Sequence, residues 1–175
     1  MVILAACVIA AATSCSSDTG TNSKPATSTP PASPTSDPKE EAARASALAA
    51  YKGMRSEQVK AFAAGTAVDT KLRTYAYDQA LGKINSELFQ MKQAGVVYKG
   101  QPTSELKVTA VNVTGTPPAV TIQECFDVTK WRATLNGRDV TQKGQPTRYV
   151  VNGTVREISK QWMVTDLAND KARAC

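Results

Sequence analysis

Apolar residues recur at steps of three and four between residues 39 and 64, the spacing of one face of an α-helix. Arg55 interrupts this apolar stripe. Asp37 followed by Pro38 supplies an N-cap and a first-turn proline, and Gly65 follows the last apolar residue. The pattern therefore predicts a first helix over this range.

A second apolar face follows a short break. It predicts one continuous helix that begins with Asp69 or Thr70 as its cap and ends at Ala94. Gly95 comes next, and glycine readily takes the left-handed conformation that ends a helix. The residues of this face are Leu72, Ala76, Ala80, Ile84, Leu88 and Met91.

Beyond residue 95 apolar and polar positions alternate, as they do on β-strands. The Asn136-Gly137 pair and residues 116–118 are typical of turns. The order of elements indicates an α+β fold, with two amino-terminal helices packed on one face of a four- to five-stranded antiparallel sheet. The predicted strands cover residues 96–98, 107–113, 120–131, 148–157 and 161–167.

The amino-terminal segment has a different pattern. Residues 2–13 contain no charge and are too few to span a bilayer, as in the apolar part of a secretory signal. Small residues precede Cys15 and polar residues follow it, which resembles the lipobox of bacterial lipoproteins. We therefore predict a signal peptide over residues 1–14 and lipidation of Cys15. A cleaved signal without lipid and an uncleaved anchor are the alternatives.

Residues 16–38 are mostly Ser, Thr and Pro and include no large apolar side chain. Such a segment cannot bury enough surface to offset its ordering entropy, so residues 15–38 are predicted to be a lipidated, disordered tether. Residues 39–175 then form one domain of ordinary size. We expect this domain at the outer face of the cytoplasmic membrane, with the membrane as a partner through the lipid, or else secreted.

The number and positions of the cysteines are consistent with export of the protein from the cytoplasm. If Cys7 leaves with the signal and Cys15 carries lipid, Cys125 and Cys175 remain as an even pair. A disulfide is the default for such a pair in an oxidising compartment, and two free thiols are the alternative. The chain has no histidine, and two distant cysteines cannot supply four zinc ligands. No metal and no cofactor is predicted.

Several segments together carry a resemblance. They are YKGM at 51–54, LRTYAYDQAL at 72–81, VYKGQP at 97–102, ECFD at 124–127, Trp131, and WMVT at 162–165 before Cys175. They are similar to a group of uncharacterised actinobacterial secreted proteins and lipoproteins with a nuclear-transport-factor-2-like (SnoaL-like, cystatin-like) cone. The resemblance implies a helical layer on a curved sheet, a pocket between them, and a bridge between the last two cysteines. By analogy with such cones, a homodimer through the open sheet face is expected.

The absence of histidine excludes Ser-His-Asp and Cys-His hydrolysis. Cones of this kind sometimes hold a carboxylate base in an apolar pocket, which makes Glu124, Asp127 and Asp78 the candidates. Asp127 should share the strand face of Cys125, and Glu124 should point to the opposite face. Asp127 is the weak catalytic candidate. The alternative is that both strand acids form ion pairs with basic residues on neighbouring strands, such as Arg148.

Aromatic residues could wall a pocket beside that strand. The candidates are Tyr75, Tyr77, Phe89 and Trp131, and ordinary core packing is the alternative for each. The chain carries a net charge of +6, which would attract anionic lipid head groups, teichoic polymers or an acidic partner, or reflect an ordinary solvated surface. Nucleic acid is not expected as a partner outside the cell.

These observations predict a non-catalytic, lipid-anchored envelope protein whose domain binds a small molecule or an envelope protein. A divergent cone enzyme with a carboxylate base is one alternative, and a structural spacer between membrane and wall is the other.

Overall fold

The computed structural model describes residues 37–175. The predicted signal peptide, the lipidation site Cys15 and nearly all of the predicted tether lie outside these residues. The helices are α1 (Pro38–Ala64), α2 (Leu72–Tyr75) and α3 (Asp78–Ala94). The strands are β1 (Val96–Gly100), β2 (Thr103–Asn112), β3 (Ala119–Asp127), β4 (Trp131–Leu135), β5 (Arg138–Asp139), β6 (Arg148–Ile158) and β7 (Gln161–Asp170). The predicted α+β class is confirmed.

Helix α1 follows the prediction from its caps. The Asp37 side chain accepts a hydrogen bond of 2.8 Å from the Lys39 amide, and Pro38 occupies the first turn. Gly65 ends the helix at φ 68°, a left-handed conformation that costs glycine little. The buried face of α1 includes the small residues Ala47 and Ala50, which allow the helix to approach the sheet closely.

The prediction of one continuous second helix is wrong, because the chain breaks between α2 and α3. Tyr77 is extended (φ −142°, ψ 166°), and its amide donates a 2.9 Å hydrogen bond to the Val164 carbonyl of β7. Ala76 pairs with the same residue in a short parallel bridge and is fully buried. This pairing replaces helical hydrogen bonds, while the apolar spacing continues across the break because both helices pack on the same core.

The strands form two sheets, where a single sheet was predicted. The larger has the order β2-β3-β6-β7 and the smaller β1-β4-β5, and the paired strands in both are antiparallel. The predicted long strand over 120–131 divides at a turn after Asp127, whose carboxylate accepts a 2.8 Å hydrogen bond from the Thr129 amide. Trp131 therefore begins a strand of the smaller sheet.

Two hairpins form where the sequence places turns. Asn136 and Gly137 have φ of 49° and 79°, and Ser159 and Lys160 have φ of 50° and 67°. Both central residues of each turn have positive φ, as a two-residue hairpin loop with right-handed strand twist requires. The second turn joins β6 to β7, with Ile158 paired to Gln161.

Strand β3 sends alternate side chains to the two faces of the larger sheet. Val120, Ile122, Glu124 and Phe126 point inward and are buried. Tyr51 of α1 packs over Gly153 of β6 so closely that a Cβ at Gly153 would collide with its ring. The inner face therefore supports the core under α1.

The opposite face of β3 carries the disulfide between Cys125 and Cys175, with their Cα atoms 5.7 Å apart. The predicted disulfide is confirmed, and it fits an oxidising environment. Within residues 37–175, no helix combines the length and apolar character needed to cross a membrane.

Candidate functional site

A cavity of about 470 Å³ opens between α1, α3, the smaller sheet and one end of the larger sheet, where β3 ends and β6 begins. The loop 141–147 borders it on one side. Five aromatic residues contribute to the walls of the cavity: Phe62, Tyr98, Phe126, Trp131 and Tyr149. This volume lies within the range of about 300–1,000 Å³ that is usual for small-molecule sites.

The aromatic walls are packed against one another. Trp131 stacks on Phe62 at a centroid distance of 5.2 Å and contacts Tyr98 at 4.8 Å. Phe126 meets Tyr149 edge to face at 5.9 Å. Contacts of this kind hold aromatic side chains in defined orientations, so the walls keep their shape.

A buried ion pair underlies one end of the cavity. Glu124 is fully buried, and both of its carboxylate oxygens accept from Arg55 Nε at 3.1 Å. The Tyr51 hydroxyl donates to Glu124 at 2.8 Å, and the Ser104 hydroxyl donates to the same carboxylate. The guanidinium of Arg55 lies 4.3 Å from the centroid of the Phe126 ring. Hydrogen bonds to both carboxylate oxygens therefore compensate the buried negative charge of Glu124.

This network fixes the protonation of its members. Burial raises the pKa of Tyr51 well above its ordinary value, with the Glu124 charge adding to the effect and Arg55 opposing it. Burial by itself would lower the pKa of Arg55, but its interactions with Tyr51 and Glu124 raise it. Tyr51 therefore stays neutral and Arg55 stays charged at any physiological pH.

Gln58 connects the ion pair to the cavity. Its Oε1 accepts a 2.7 Å hydrogen bond from Arg55 Nη1, which lies one helical turn away. Because arginine only donates, the carbonyl end of the amide must face Arg55 and the NH₂ end must point elsewhere. That NH₂ group has no hydrogen-bond partner among the described residues, and Gln58 is only 5% exposed.

Charged side chains also line the cavity. Arg132 is neutralised by Asp139, with Nη2 and Oδ2 2.8 Å apart. Neither Lys143 nor Lys171 has a carboxylate within 4 Å in the described part of the chain. Glu87 is the carboxylate in the wall. It remains an exposed residue of α3, but the surrounding protein removes part of its solvent and raises its pKa, and the nearby charges of Arg55 and Lys171 oppose that rise.

Of the four aromatic residues predicted to line a pocket, only Trp131 does so. Tyr75 packs on α1, where a Cβ at Gly53 would lie 2.6 Å from its ring. Tyr77 and Phe89 are 49% and 63% exposed and lie away from the cavity. Tyr77 is exposed where the chain breaks between the two helices, and Phe89 lies beside the buried face of α3 formed by Ala80, Ile84, Leu88 and Met91.

The acid singled out by sequence, Asp127, does not reach the cavity. It lies on the outer face of β3 beside Cys125, and Arg148 Nε is 3.8 Å from its carboxylate. Hydrogen bonds from Thr129, aided by Arg148, lower the pKa of Asp127. Asp127 shares the face of Cys125 and pairs with Arg148, as predicted and as the stated alternative had it, but a general base in an apolar pocket needs a raised pKa, so Asp127 lacks the setting of such a base.

The other candidate acids lie elsewhere. Asp78 is exposed at the start of α3, and Glu124 is committed to the buried ion pair. Sequence reasoning missed Gln58 and Glu87, both polar residues at unremarkable helical positions. The signal for Arg55 was present, since it interrupts the apolar stripe of α1.

Residues 37–175 contain no group of three or more acidic or cysteine side chains placed to hold a metal ion.

Comparison with known proteins found distant structural similarities and no match by sequence. No model of a protein family matches the chain, and no curated protein matches it. The intermembrane-space region of the chloroplast protein ARC6 is similar at 14% identity and a TM-score of 0.43, over 81% of this chain and 100% of that one. A Nostoc punctiforme domain of unknown function with a cystatin-like fold is similar at 14% identity and a TM-score of 0.40, over 78% and 79% of the two chains.

Proposed function

We propose that this protein is an exported, lipid-anchored envelope protein whose domain binds a small organic molecule in the aromatic cavity without transforming it. The observation that carries the proposal is the cavity itself. Five aromatic side chains form one part of its wall and polar or charged side chains form most of the rest, and its volume is in the range usual for small-molecule sites.

The proposed location has two supports. The lipobox-like segment supports lipidation of Cys15, and the disulfide between Cys125 and Cys175 fits an oxidising compartment. Lipidation predicts that the full chain, produced in an exporting bacterial host, incorporates labelled palmitate and fractionates with membranes. Cys15→Ser should abolish labelling, and Cys7→Ser is the matched control that should leave it intact. Labelling that persists in Cys15→Ser would overturn the anchor.

Binding is tested by native mass spectrometry of the exported full chain, purified without denaturant. An added mass that is released on unfolding would support a carrier or receptor. Ala133 lines the cavity, so Ala133→Leu should reduce the added mass by filling part of the space. Ala63→Leu places the same side chain on the exposed side of α1 and is the matched control. An added mass unaffected by Ala133→Leu would place the ligand elsewhere.

The two alternatives make different predictions, and the enzyme alternative adds an assay of turnover of the released ligand. An enzyme with a carboxylate base would rest on Glu87, the acid in the cavity wall with a raised pKa. Such an enzyme should lose turnover in Glu87→Gln while keeping its bound ligand. A structural spacer would bind nothing at all.

The native mass also reports the oligomeric state. A homodimer through the open sheet face would have to pair outward residues that are mainly polar, such as Thr121, Gln123 and Asn152. A mass of two chains that survives dilution would support it.

A further inference from the structure

The buried end of the cavity offers hydrogen-bond donors. Gln58 presents its NH₂ group, because its carbonyl is taken by Arg55. Arg55 has five N–H donors, and one of the two on Nη1 has no acceptor among the described residues.

The carboxylate nearest to these donors, Glu124, is already occupied. The Glu124 carboxylate receives bonds from Tyr51, Arg55 and Ser104, and it lies beneath Arg55 on the inner face of the sheet. The Gln58 amide and Arg55 Nη1 thus each have an N–H without an acceptor among residues 37–175, and a molecule that brings oxygen acceptors would complement them.

The remaining charges in the wall favour an anion. The ion pairs of Arg55 with Glu124 and of Arg132 with Asp139 are internally neutral. Two lysines, Lys143 and Lys171, then face one carboxylate, Glu87, which leaves an excess positive charge around the cavity. Lys171 Nζ also lies 5.7 Å from the centroid of the Tyr149 ring, within the range of a cation–π contact.

We infer that the cavity binds a flat, largely apolar molecule carrying one anionic group, such as a carboxylate or sulfonate. The aromatic walls contact the apolar part, and the Gln58 amide, Arg55 and the lysines receive the anion. The inference rests on the proposed binding function and specifies the chemical class of the ligand.

A matched pair of fluorescent probes tests this inference with the full chain carrying Cys15→Ser. The anionic probe is 1-anilinonaphthalene-8-sulfonate, and the neutral probe is N-phenyl-1-naphthylamine, which has the same aromatic frame without the sulfonate. We expect the anionic probe to bind more tightly by about fivefold or more, the equivalent of one favourable charge interaction of about 1 kcal/mol. The difference should shrink as salt is added, because salt screens exposed charges.

Variants that change a single charge test whether the preference for the anionic probe is electrostatic. Lys171→Met should weaken binding of the anionic probe, and Glu87→Gln should strengthen it, while both leave the neutral probe nearly unchanged. Lys92→Met removes a lysine from the exposed surface of α3, away from the cavity, and is the control. Ala133→Leu should weaken both probes, which shows that they occupy the cavity.

The possible outcomes distinguish failure of the proposed binding function from failure of the proposed ligand class. If neither probe binds in a manner sensitive to Ala133→Leu, the proposed binding function fails with the inference. If both probes bind the cavity with equal affinity, or Glu87→Gln has no effect on the anionic probe, the binding function stands and the anionic ligand class is rejected.

Discussion

Glu124 and Asp127 lie three residues apart on the same strand and have opposite environments. Glu124 is fully buried and receives hydrogen bonds from Tyr51, Arg55 and Ser104. Asp127 lies on the other face of the sheet, where its side chain is 26% exposed and its closest cation is Arg148 at 3.8 Å. The two-residue period of a strand is sufficient to produce this separation.

The comparison shows that the chemical type of a residue does not decide its role. On the inner face a carboxylate must be compensated completely, and it then ties helix α1 to strand β3 through Arg55. On the outer face a carboxylate is screened by water, and it shapes a local turn by accepting from Thr129. The inner acid is therefore expected to matter for global stability and the outer acid for local geometry.

Glu124→Ala should have the largest effect, because it leaves the charge of Arg55 buried without a carboxylate. We expect the free energy of unfolding to fall by about 3–5 kcal/mol, measured by urea denaturation. Asp127→Ala is the same substitution on the outer face and should lower the urea midpoint far less. Equal losses in the two variants would contradict the comparison.

Removal of the disulfide should have the next largest effect, and it shows what the outer face does contribute. Cys125→Ser should lower the free energy of unfolding by about 2–5 kcal/mol, since the crosslink restricts the unfolded chain. Cys175→Ser and the double variant should show the same loss, because either change removes the same bond across 50 residues. Losses that add in the double variant would contradict a shared origin.

Tyr51→Phe sharpens the comparison by removing one donor to Glu124. A hydrogen bond to a charged group is worth about 1.5–3 kcal/mol, and we expect a loss of that size on urea denaturation. Tyr77→Phe removes a hydroxyl from a side chain that is 49% exposed and should leave the midpoint unchanged. A harmless Tyr51→Phe would mean that Arg55 and Ser104 alone satisfy the buried carboxylate.

Exposed acids should have the smallest effect, and it should depend on pH. Hydrogen bonds from Thr141, aided by Arg132, lower the pKa of Asp139 from 3.8 to about 2. A lowered folded-state pKa stabilises the fold fully above the unfolded value of 3.8, and this contribution is lost as the pH falls through about 2. The stability difference between the native chain and Asp139→Asn should therefore vanish near that pH. Carbon-13 NMR titration of the carboxyl groups checks the assignment, and an Asp139 midpoint near 4 would refute it.

Local signals were sufficient to predict much of the fold. The caps at Asp37 and Gly65 define α1, and the turns at Asn136 and Ser159 fall between the strands they join. The break before α3 could not be predicted, because its cause is a hydrogen bond between Tyr77 and a strand near the end of the chain. The split of the long predicted strand had a local signal in Asp127, which initiates a turn.

Fewer features of the candidate site than of the fold could be predicted from the sequence. Alternation along β3 correctly placed Glu124 and Asp127 on opposite faces, but it did not say which face was the core. Trp131 was assigned to the cavity, whereas Gln58 and Glu87 occupy helical positions with no distinguishing pattern. Their role depends on how α1 and α3 sit against the two sheets, which is a property of tertiary packing.

The break between α2 and α3 also affects how the molecule meets other chains. Strand β7 is an edge of the larger sheet, and unpaired edges can recruit extended segments of neighbouring molecules. Here the Tyr77 amide donates a hydrogen bond to the Val164 carbonyl, and the Gln161 side chain donates to the Thr74 carbonyl at 2.7 Å. The interruption of the helix thus covers part of an aggregation-prone edge with the protein's own chain.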